Sequence, residues 1–495
     1  MNPIEFCPKC GTVLRPRRVG NKIYLTCVNC GYTRYVMTVK AEKPTPARRP
    51  LPKIDLDFLE KIIRKERRNA REEAFREVYK AVVIDTSHRI ATIKTSNVVR
   101  FQTGDPIGLM VGRERTPQYL GTVIDSYPAN SHTVLTVLTA AKSSNLIREE
   151  DKIIIFDYEP LISYDLQLDL IGQVKGGIEE EEAVIKISNL EAINLILGNA
   201  KQPELRRYKV RDIRDVKEKF ELDKSQIEAV EAALALEDGE LLLIVGPPGT
   251  GKTRVIAKIA YELAEQGEKV LISSHTNRAV DNAVEILPLE RTLRVGRPEK
   301  ILEHIKPYLL SYRARERLGR KILELDKKVE EYSKIIRVFE EEIRRIKDVY
   351  GKTKLKQRLS IIKQGLRDAI KLRNEMIRSE CNKLIHEVPI IGSTLIKSQL
   401  PPLVDIPFDT VIIDEASQAS ITLALLAMVK GRKWVIVGDH KQLLPIFRSV
   451  KHLEWRKALS AFSALKDKYD HRHLWLQIHY RSNREIIGFL AKYVY

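Results

Sequence analysis

Two short segments of this 495-residue chain have the residue types and spacing of phosphate chemistry. In GELLLIVGPPGTGKTRVIAKIAYEL an apolar run, Leu241 to Val245, leads into G-x-x-x-x-G-K-T and then into a helical pattern. Strand, glycine-rich turn and helix in that order form a phosphate-binding loop. Gly246, Pro247, Pro248, Gly249, Thr250 and Gly251 would turn backbone N–H groups toward an anion at a helix N-terminus. Lys252 would reach the terminal phosphates, and the Thr253 hydroxyl would face Mg²⁺. The loop therefore implies ATP or a similar triphosphate with Mg²⁺.

DTVIIDEASQAS supplies a complementary acidic pair after a second apolar strand. Asp414 would emerge at the strand's carboxyl end and hold Mg²⁺, and Glu415 beside it would polarise an attacking water. A third strand, KWVIVGDHKQLLP, ends near Gln442, whose amide suits hydrogen bonding to a terminal phosphate or that water. Taken alone, the third segment reads better as a polar turn after a core strand.

A second chemistry lies at the front. Cys7 and Cys10 in CPKCG, and Cys27 and Cys30 in CVNCG, form two C-x-x-C pairs sixteen residues apart. That spacing suits a structural Zn²⁺ bound by four thiolates with no open position. Redox pairs or a disulfide framework are the competing readings. The basic side chains of this zinc ribbon suit nucleic acid, and a protein-docking tag fits as well. Cys381 stands alone and reads as a packing residue.

Charge points toward a polyanion. The chain carries a formal net charge of +19. Its first 80 residues hold 19 basic against 9 acidic side chains, +10 of that total. Neutralising phosphates releases counterions, which favours nucleic acid; a solvated, charge-rich surface is the bland alternative. Apolar runs such as ITLALLAMV are far shorter than the roughly 18 residues a membrane span needs. The start, MNPIEFCPKC, lacks a secretory pattern, so a cytoplasmic protein with no membrane partner is expected.

The elements that must position these groups follow from hydrophobic pattern. A zinc ribbon is expected at 1–40, a basic Pro-rich linker at 41–54 and a stalk helix at 55–80. Short β-branched runs divided by turns predict a small β-barrel at 81–160, with a helical stalk at 161–211. An α/β RecA-like domain is expected over 212–300 and 386–468. Between its halves, at 301–385, Leu318, Ile322, Leu325, Val329, Tyr332, Ile336, Phe339, Ile343 and Ile346 follow a heptad seam. YGKTK reads as the turn of that helical hairpin, which is either a solvated surface or a clamp on nucleic acid or a partner.

The order LDKSQIEAV, GPPGTGKT, VLISSHTNRAVDNA, IIGSTL, DEASQ, GDHKQL and HYRS resembles the superfamily-one helicases, in the branch typified by the Up-frameshift RNA helicase and senataxin. The resemblance covers about residues 55 to 495. It implies ATP-driven 5′-to-3′ movement on single-stranded DNA or RNA, a barrel mounted on a stalk, and a RecA-like P-loop NTPase domain. It also implies that Gln226 reads the adenine, Tyr480 stacks on it, and Gln442 senses the γ-phosphate. Arg481 would reach that phosphate from a second RecA-like domain beginning at 469–495. Thr276, Asn277, Ser393 and Thr394 would touch the nucleic-acid backbone, with His275 a packed neighbour. Most of the second motor domain is absent from the 495 residues, so a fragment or half of a split protein is expected. A nuclease–helicase of the same branch would need a larger acidic N-terminal region. A docking module that binds ATP without autonomous motor activity is the alternative from another class.

Overall fold

A computed structural model describes residues 8–10, 14–19, 22–27, 29–38, 53–87, 90–101, 104–111, 116–128, 132–179, 183–346 and 348–483, with 488 and 494. The chain divides into two compact units, Met1–Pro52 and Lys53–Tyr495. In the first, strands β1 (Leu14–Val19), β2 (Lys22–Cys27) and β3 (Thr33–Thr38) form an antiparallel sheet in sequence order. The expected linker at 41–54 lies outside the described residues up to 52.

The second unit opens with α1 (Leu56–Ala74), started by Asp55, whose carboxylate accepts from Phe58 N at 3.0 Å. Leu59, Ile62 and Ile63 are buried on one face of it, the i, i+3, i+4 spacing of an amphipathic helix. Strands β4 (Val78–Ser87), β5 (Ile90–Thr95), β6 (Pro106–Val111), β7 (Thr116–Pro128), β8 (Thr133–Thr139) and β9 (Lys152–Asp157) close a barrel in the order β4-β5-β8-β7-β6-β9. Alternating residues such as Ala91, Ile93, Leu135 and Val137 fill its interior. Closure removes the exposed edges that a sheet of this size would otherwise present.

Helix α2 (Glu159–Val174) returns along α1, and Arg67 joins them through Asp165 and the Tyr158 hydroxyl. The stretch 161–211 departs from its helical expectation. Among the described residues only α2 and the short α3 (Glu191–Leu197) are α-helical there, because Gly176 and Gly198 adopt φ of +72° and +82° and end them. Asp169 Oδ2 accepts from Val184 N and Ile185 N, so a buried carboxylate satisfies backbone that a helix would have satisfied.

The RecA-like domain follows: α4 (Lys224–Leu234), β10 (Leu241–Val245), α5 (Lys252–Glu265), β11 (Val270–Ser274), α6 (Asn277–Val284) and β12 (Thr292–Val295). Then come α7 (Leu310–Leu318), α8 (Arg320–Arg345) and α9 (Val349–Glu387). The chain re-enters the domain through β13 (Ile390–Thr394), β14 (Phe408–Asp414), α10 (Ile421–Met428) and β15 (Gly431–Gly438). It continues as α11 (Leu453–Ala458), α12 (Ala461–Lys468) and β16 (His473–Trp475). The parallel sheet runs β12-β13-β11-β14-β15-β10-β16. Its central strands are buried on both faces, which explains their unbroken Val, Ile and Leu runs.

Two boundaries move. β16 pairs in parallel with β10, Val245 opposite Trp475, so residues 473–475 complete the first sheet and a second domain cannot begin at 469. YGKTK is not a turn: Asp348 caps Gly351 N at 2.6 Å, and the helix already runs through Tyr350 to Lys354. The reversal falls between α8 and α9, ahead of YGKTK. Along the hairpin, Ile322, Leu325 and Val329 are buried, while Tyr332, Ile336, Phe339, Ile343 and Ile346 are half-buried. Two helices alone cover only one side of a seam. Among the described residues no helix is long and apolar enough to cross a membrane.

Candidate nucleotide site and nucleic-acid face

The sheet places the loops together. Register pairs Val245 with Gly438, Ile413 with Ile436 and Ser274 with both Asp414 and Thr394. All the corresponding loops therefore leave one carboxyl edge, where open α/β sheets bind ligands.

At the end of β10, Gly246 N donates to Gly438 O at 3.0 Å, tying the loop to β15. Gly249 and Gly251 have φ of +80° and +79°, values that side-chain-bearing residues rarely adopt. A Cβ on Gly246 would lie 2.4 Å from Lys252 Cγ. Lys252 heads α5 and curls across the loop, its Nζ donating to Gly246 O at 2.8 Å. Thr250 Oγ1 donates to Pro247 O at 2.8 Å, and Pro248 and Thr253 complete the cradle.

Gln226 is buried beneath this loop. Its amide Nε2 donates to Thr250 O at 3.0 Å, and its Oε1 accepts from Asp223 N at 3.0 Å. The resemblance implies an adenine contact for Gln226; what the structure shows is its side chain bracing the loop. Asp223 caps α4 and accepts from the Tyr480 hydroxyl at 2.7 Å. Burial pushes the Asp223 carboxyl up, but bonds from Ser225, Tyr480 and backbone N–H groups outweigh it and hold the group below its usual range. Tyr480 N donates to Gly249 O at 2.8 Å, and Arg481 Cβ lies against Gly249. The HYRS segment thus sits on the phosphate loop itself, with the Tyr480 ring exposed beside it.

Asp414 is buried, and burial together with the neighbouring Glu415 raises its pKa to about 7, against the opposing pull of Lys252. Asp414 Oδ1 accepts from Glu415 N at 2.8 Å. The Asp414 carboxylate and the Thr253 hydroxyl at the start of α5 offer oxygen donors of the kind that suit Mg²⁺. Glu415 adopts φ +53°, a strained value for a non-glycine residue, and its Oε2 accepts from Gln418 at 3.2 Å. Gln442 Nε2 donates to Asp439 Oδ2 at 2.8 Å, and Asp439 N donates to Ser417 Oγ at 2.9 Å. The loops after β14 and β15 are therefore one hydrogen-bonded unit.

The four residues expected to meet a nucleic-acid backbone divide. Thr276 is exposed and caps α6, accepting from Ala279 N at 3.3 Å. Asn277 Oδ1 accepts from Arg294 at 2.8 Å. Thr394 is half-buried at the end of β13. Ser393 is fully buried inside the sheet, where its hydroxyl donates to Thr394 O, so its side chain meets no ligand. The exposed His275 is not the packed neighbour expected. Arg294 was missed: nothing in TLRV distinguishes it from an edge-strand arginine, yet it is fully buried against Asp281 and orders Asn277.

Next to this edge a cleft of about 1270 Å³ opens between the barrel, the hairpin and the RecA-like domain. Lys94 and His132 line it from the barrel, Arg337, Lys371 and Arg378 from the hairpin, and Lys397 from the loop after β13. Burial pushes Lys397 down to about 8, with Arg297 acting in the same direction.

In the first unit, Cys10, Cys27 and Cys30 bring their sulfurs within 4.8 Å of one another, Cys10 and Cys27 at 3.4 Å. Cys7 lies outside the described residues. Gly31, at φ +72°, turns the chain so that Gly31 N donates to Cys27 O at 3.1 Å. Backbone N–H groups of Cys30 and Asn29 hold the Cys27 thiol below its ordinary value. That favours the thiolate a soft metal requires.

A family profile described as an AAA domain matches residues 221–450. The uncharacterized ATP-dependent helicase MJ0104 of Methanocaldococcus jannaschii is 33% identical over 314 residues, 57% of this chain and 46% of that protein. Over the matched residues the chain is similar to ATP-dependent helicases. Mouse DNA-binding protein SMUBP-2 is 32% identical over 291 residues, 55% of this chain and 27% of its own length. The DNA polymerase alpha-associated DNA helicase A of Schizosaccharomyces pombe is 29% identical, over 54% and 38%. The chain spans less than half the length of those relatives. An arterivirus nonstructural protein 10 helicase solved with DNA aligns at a TM-score of 0.32 and 11% identity, a likeness too loose to carry an argument.

Proposed function

We propose that this chain carries the ATP-hydrolysing machinery of a translocase that moves 5′ to 3′ along single-stranded nucleic acid. The observation that carries it is the convergence of Lys252, Asp414, Glu415 and Gln442 at one carboxyl edge of one parallel sheet, joined through Gly246–Gly438 and Asp439–Ser417. Bound Mg²⁺, held by Thr253 and Asp414, would neutralise charge on the phosphates. Lys252 leaves Gly246 O for the terminal phosphate, Glu415 orients the attacking water, and Gln442 reads whether the γ-phosphate is present. Arg481, standing beside Gly249, adds positive charge to the leaving end of the triphosphate.

Strand contact follows from Thr276, Asn277 and Thr394 on the same edge, adjoining the basic cleft. Single-stranded DNA is the first substrate to test, since relatives are named for DNA binding; RNA is the second. The cysteine cluster supports a structural Zn²⁺ in the first unit, where it would serve nucleic acid or a protein partner. A cytoplasmic location completes the reading. A docking module that binds ATP without turnover is the alternative.

The test is strand binding across salt, with ATP present. Competition by a polyanion and a steep loss of affinity with rising salt are expected, the slope counting the phosphates neutralised. Salt-independent binding, or none, would contradict the proposal.

A further inference from the structure

The proposed mechanism uses Arg481, and Tyr480 anchors the segment on the loop, but His479 is left without a role. The structure places its ring on the crown of the phosphate loop. A Cβ built on Gly249 would lie 2.3 Å from His479 Cε1, 2.7 Å from its Nδ1 and 2.7 Å from Arg481 Cβ. The backbone between them is pinned, because Tyr480 N donates to Gly249 O at 2.8 Å. Three consecutive residues therefore straddle one glycine, and any side chain at Gly249 would displace them.

His479 also has a defined hydrogen-bonding sense. Ser482 N donates to His479 Nε2 at 2.8 Å. A backbone N–H can only donate, so Nε2 accepts, and the ring's proton resides on Nδ1. Nδ1 is on the edge that touches the loop. The half-buried ring thus presents an N–H donor at the part of the loop whose backbone receives phosphate oxygens.

We propose that His479 is a phosphate-contacting residue, its Nδ1–H donating to the terminal phosphate of a bound nucleoside triphosphate alongside Arg481. The proposal rests on the nucleotide-site reading above. Within HYRS the work divides three ways. Tyr480 fixes the segment on Gly249, Arg481 brings charge, and His479 brings an oriented neutral donor. The contact should distinguish triphosphate from diphosphate, because only the former carries the terminal phosphate that the ring would meet.

The test is equilibrium binding of a non-hydrolysable ATP analogue and of ADP to the full chain and to three variants. His479→Asn keeps an N–H donor near the Nδ1 position, His479→Phe keeps the packing without a donor, and His479→Ala keeps neither. A hydrogen bond to a charged phosphate predicts about a tenfold or greater loss of analogue affinity in the Phe and Ala variants. ADP affinity should change less than about threefold in all three, and the Asn variant should stay within about threefold of the parent for both ligands. Equal loss for analogue and ADP, or parental affinity in the Phe variant, would show that the ring only packs and would overturn the assignment. A parent chain that binds neither nucleotide would instead overturn the site reading, and this contact with it.

Discussion

Arg294 Nε donates to Asp281 Oδ1 at 2.7 Å, and both side chains are sealed from solvent. The same guanidinium donates to Val295 O and to Asn277 Oδ1, while Asp281 Oδ2 accepts from Leu302 N. One buried ion pair thereby joins β12, α6 and the chain leading to the hairpin. Burial holds the Arg294 guanidinium below its ordinary value, and the Asp281 carboxylate beside it opposes that shift.

Removing one partner leaves the other charge buried. Arg294→Met is expected to cost about 3–5 kcal/mol of stability, and pairing it with Asp281→Leu should recover part of that loss. Chemical denaturation of the single and double variants measures it. A loss under about 1 kcal/mol in the single variant would show that the pair is not the joint described.

Asp414 carries a pH signature. Burial and the neighbouring Glu415 push its carboxyl up to about 7 from the ordinary 3.8, so the folded state binds a proton more tightly than the unfolded state. The stability this confers is present at low pH and is lost as pH rises through about 7. Mg²⁺ with nucleotide should reverse the trend, and its apparent affinity should fall by up to about tenfold per pH unit below 7, as protons compete for the carboxylate. Melting profiles from pH 5 to 8.5, with and without Mg²⁺–ADP, check this, and Asp414→Asn should flatten both dependences.

The cysteine cluster predicts independent behaviour of the two units. If the proposed Zn²⁺ is bound, a strong chelator should unfold the first unit, since a core of Cys27 with Leu25 and Tyr32 is too small to hold it together alone. The melting of Lys53–Tyr495 should be unmoved. Cys27→Ser should reproduce the effect without chelator, read by loss of one bound Zn²⁺ per chain and by protease sensitivity confined to residues before 53.

The readable parts of the fold and site are those whose signals are local. Gly246 to Thr253 and the Asp414–Glu415 pair were readable because glycines, a lysine and carboxylates after apolar runs constrain both backbone and chemistry over a few residues. The barrel was readable as alternating short runs, though its closure depends on pairings such as β4 with β9 that no local pattern encodes. β16 was missed because a three-residue strand at a sheet edge has no periodicity to detect. The hairpin's turn was misplaced because glycine in YGKTK outweighed Asp348, whose side chain in fact starts the helix. Ser393 was assigned by motif position, whereas two-sided burial of a central strand decides what its side chain touches. Arg294 gave no sequence signal, since a lone arginine becomes informative only when its buried partner is known.

Everything proposed for the site depends on ATP hydrolysis at the loop headed by Lys252, driven by a single strand bound on the same sheet edge. The direct measurement is phosphate release by the full chain with and without single-stranded DNA, beside Lys252→Ala and Glu415→Gln. Strand-stimulated turnover is expected in the parent, with Lys252→Ala abolishing both it and tight nucleotide binding. Glu415→Gln should lower turnover by about 10²-fold or more with nucleotide binding retained. Turnover that survives Lys252→Ala unchanged, or nucleotide binding with no strand-stimulated turnover in the parent chain, would contradict this.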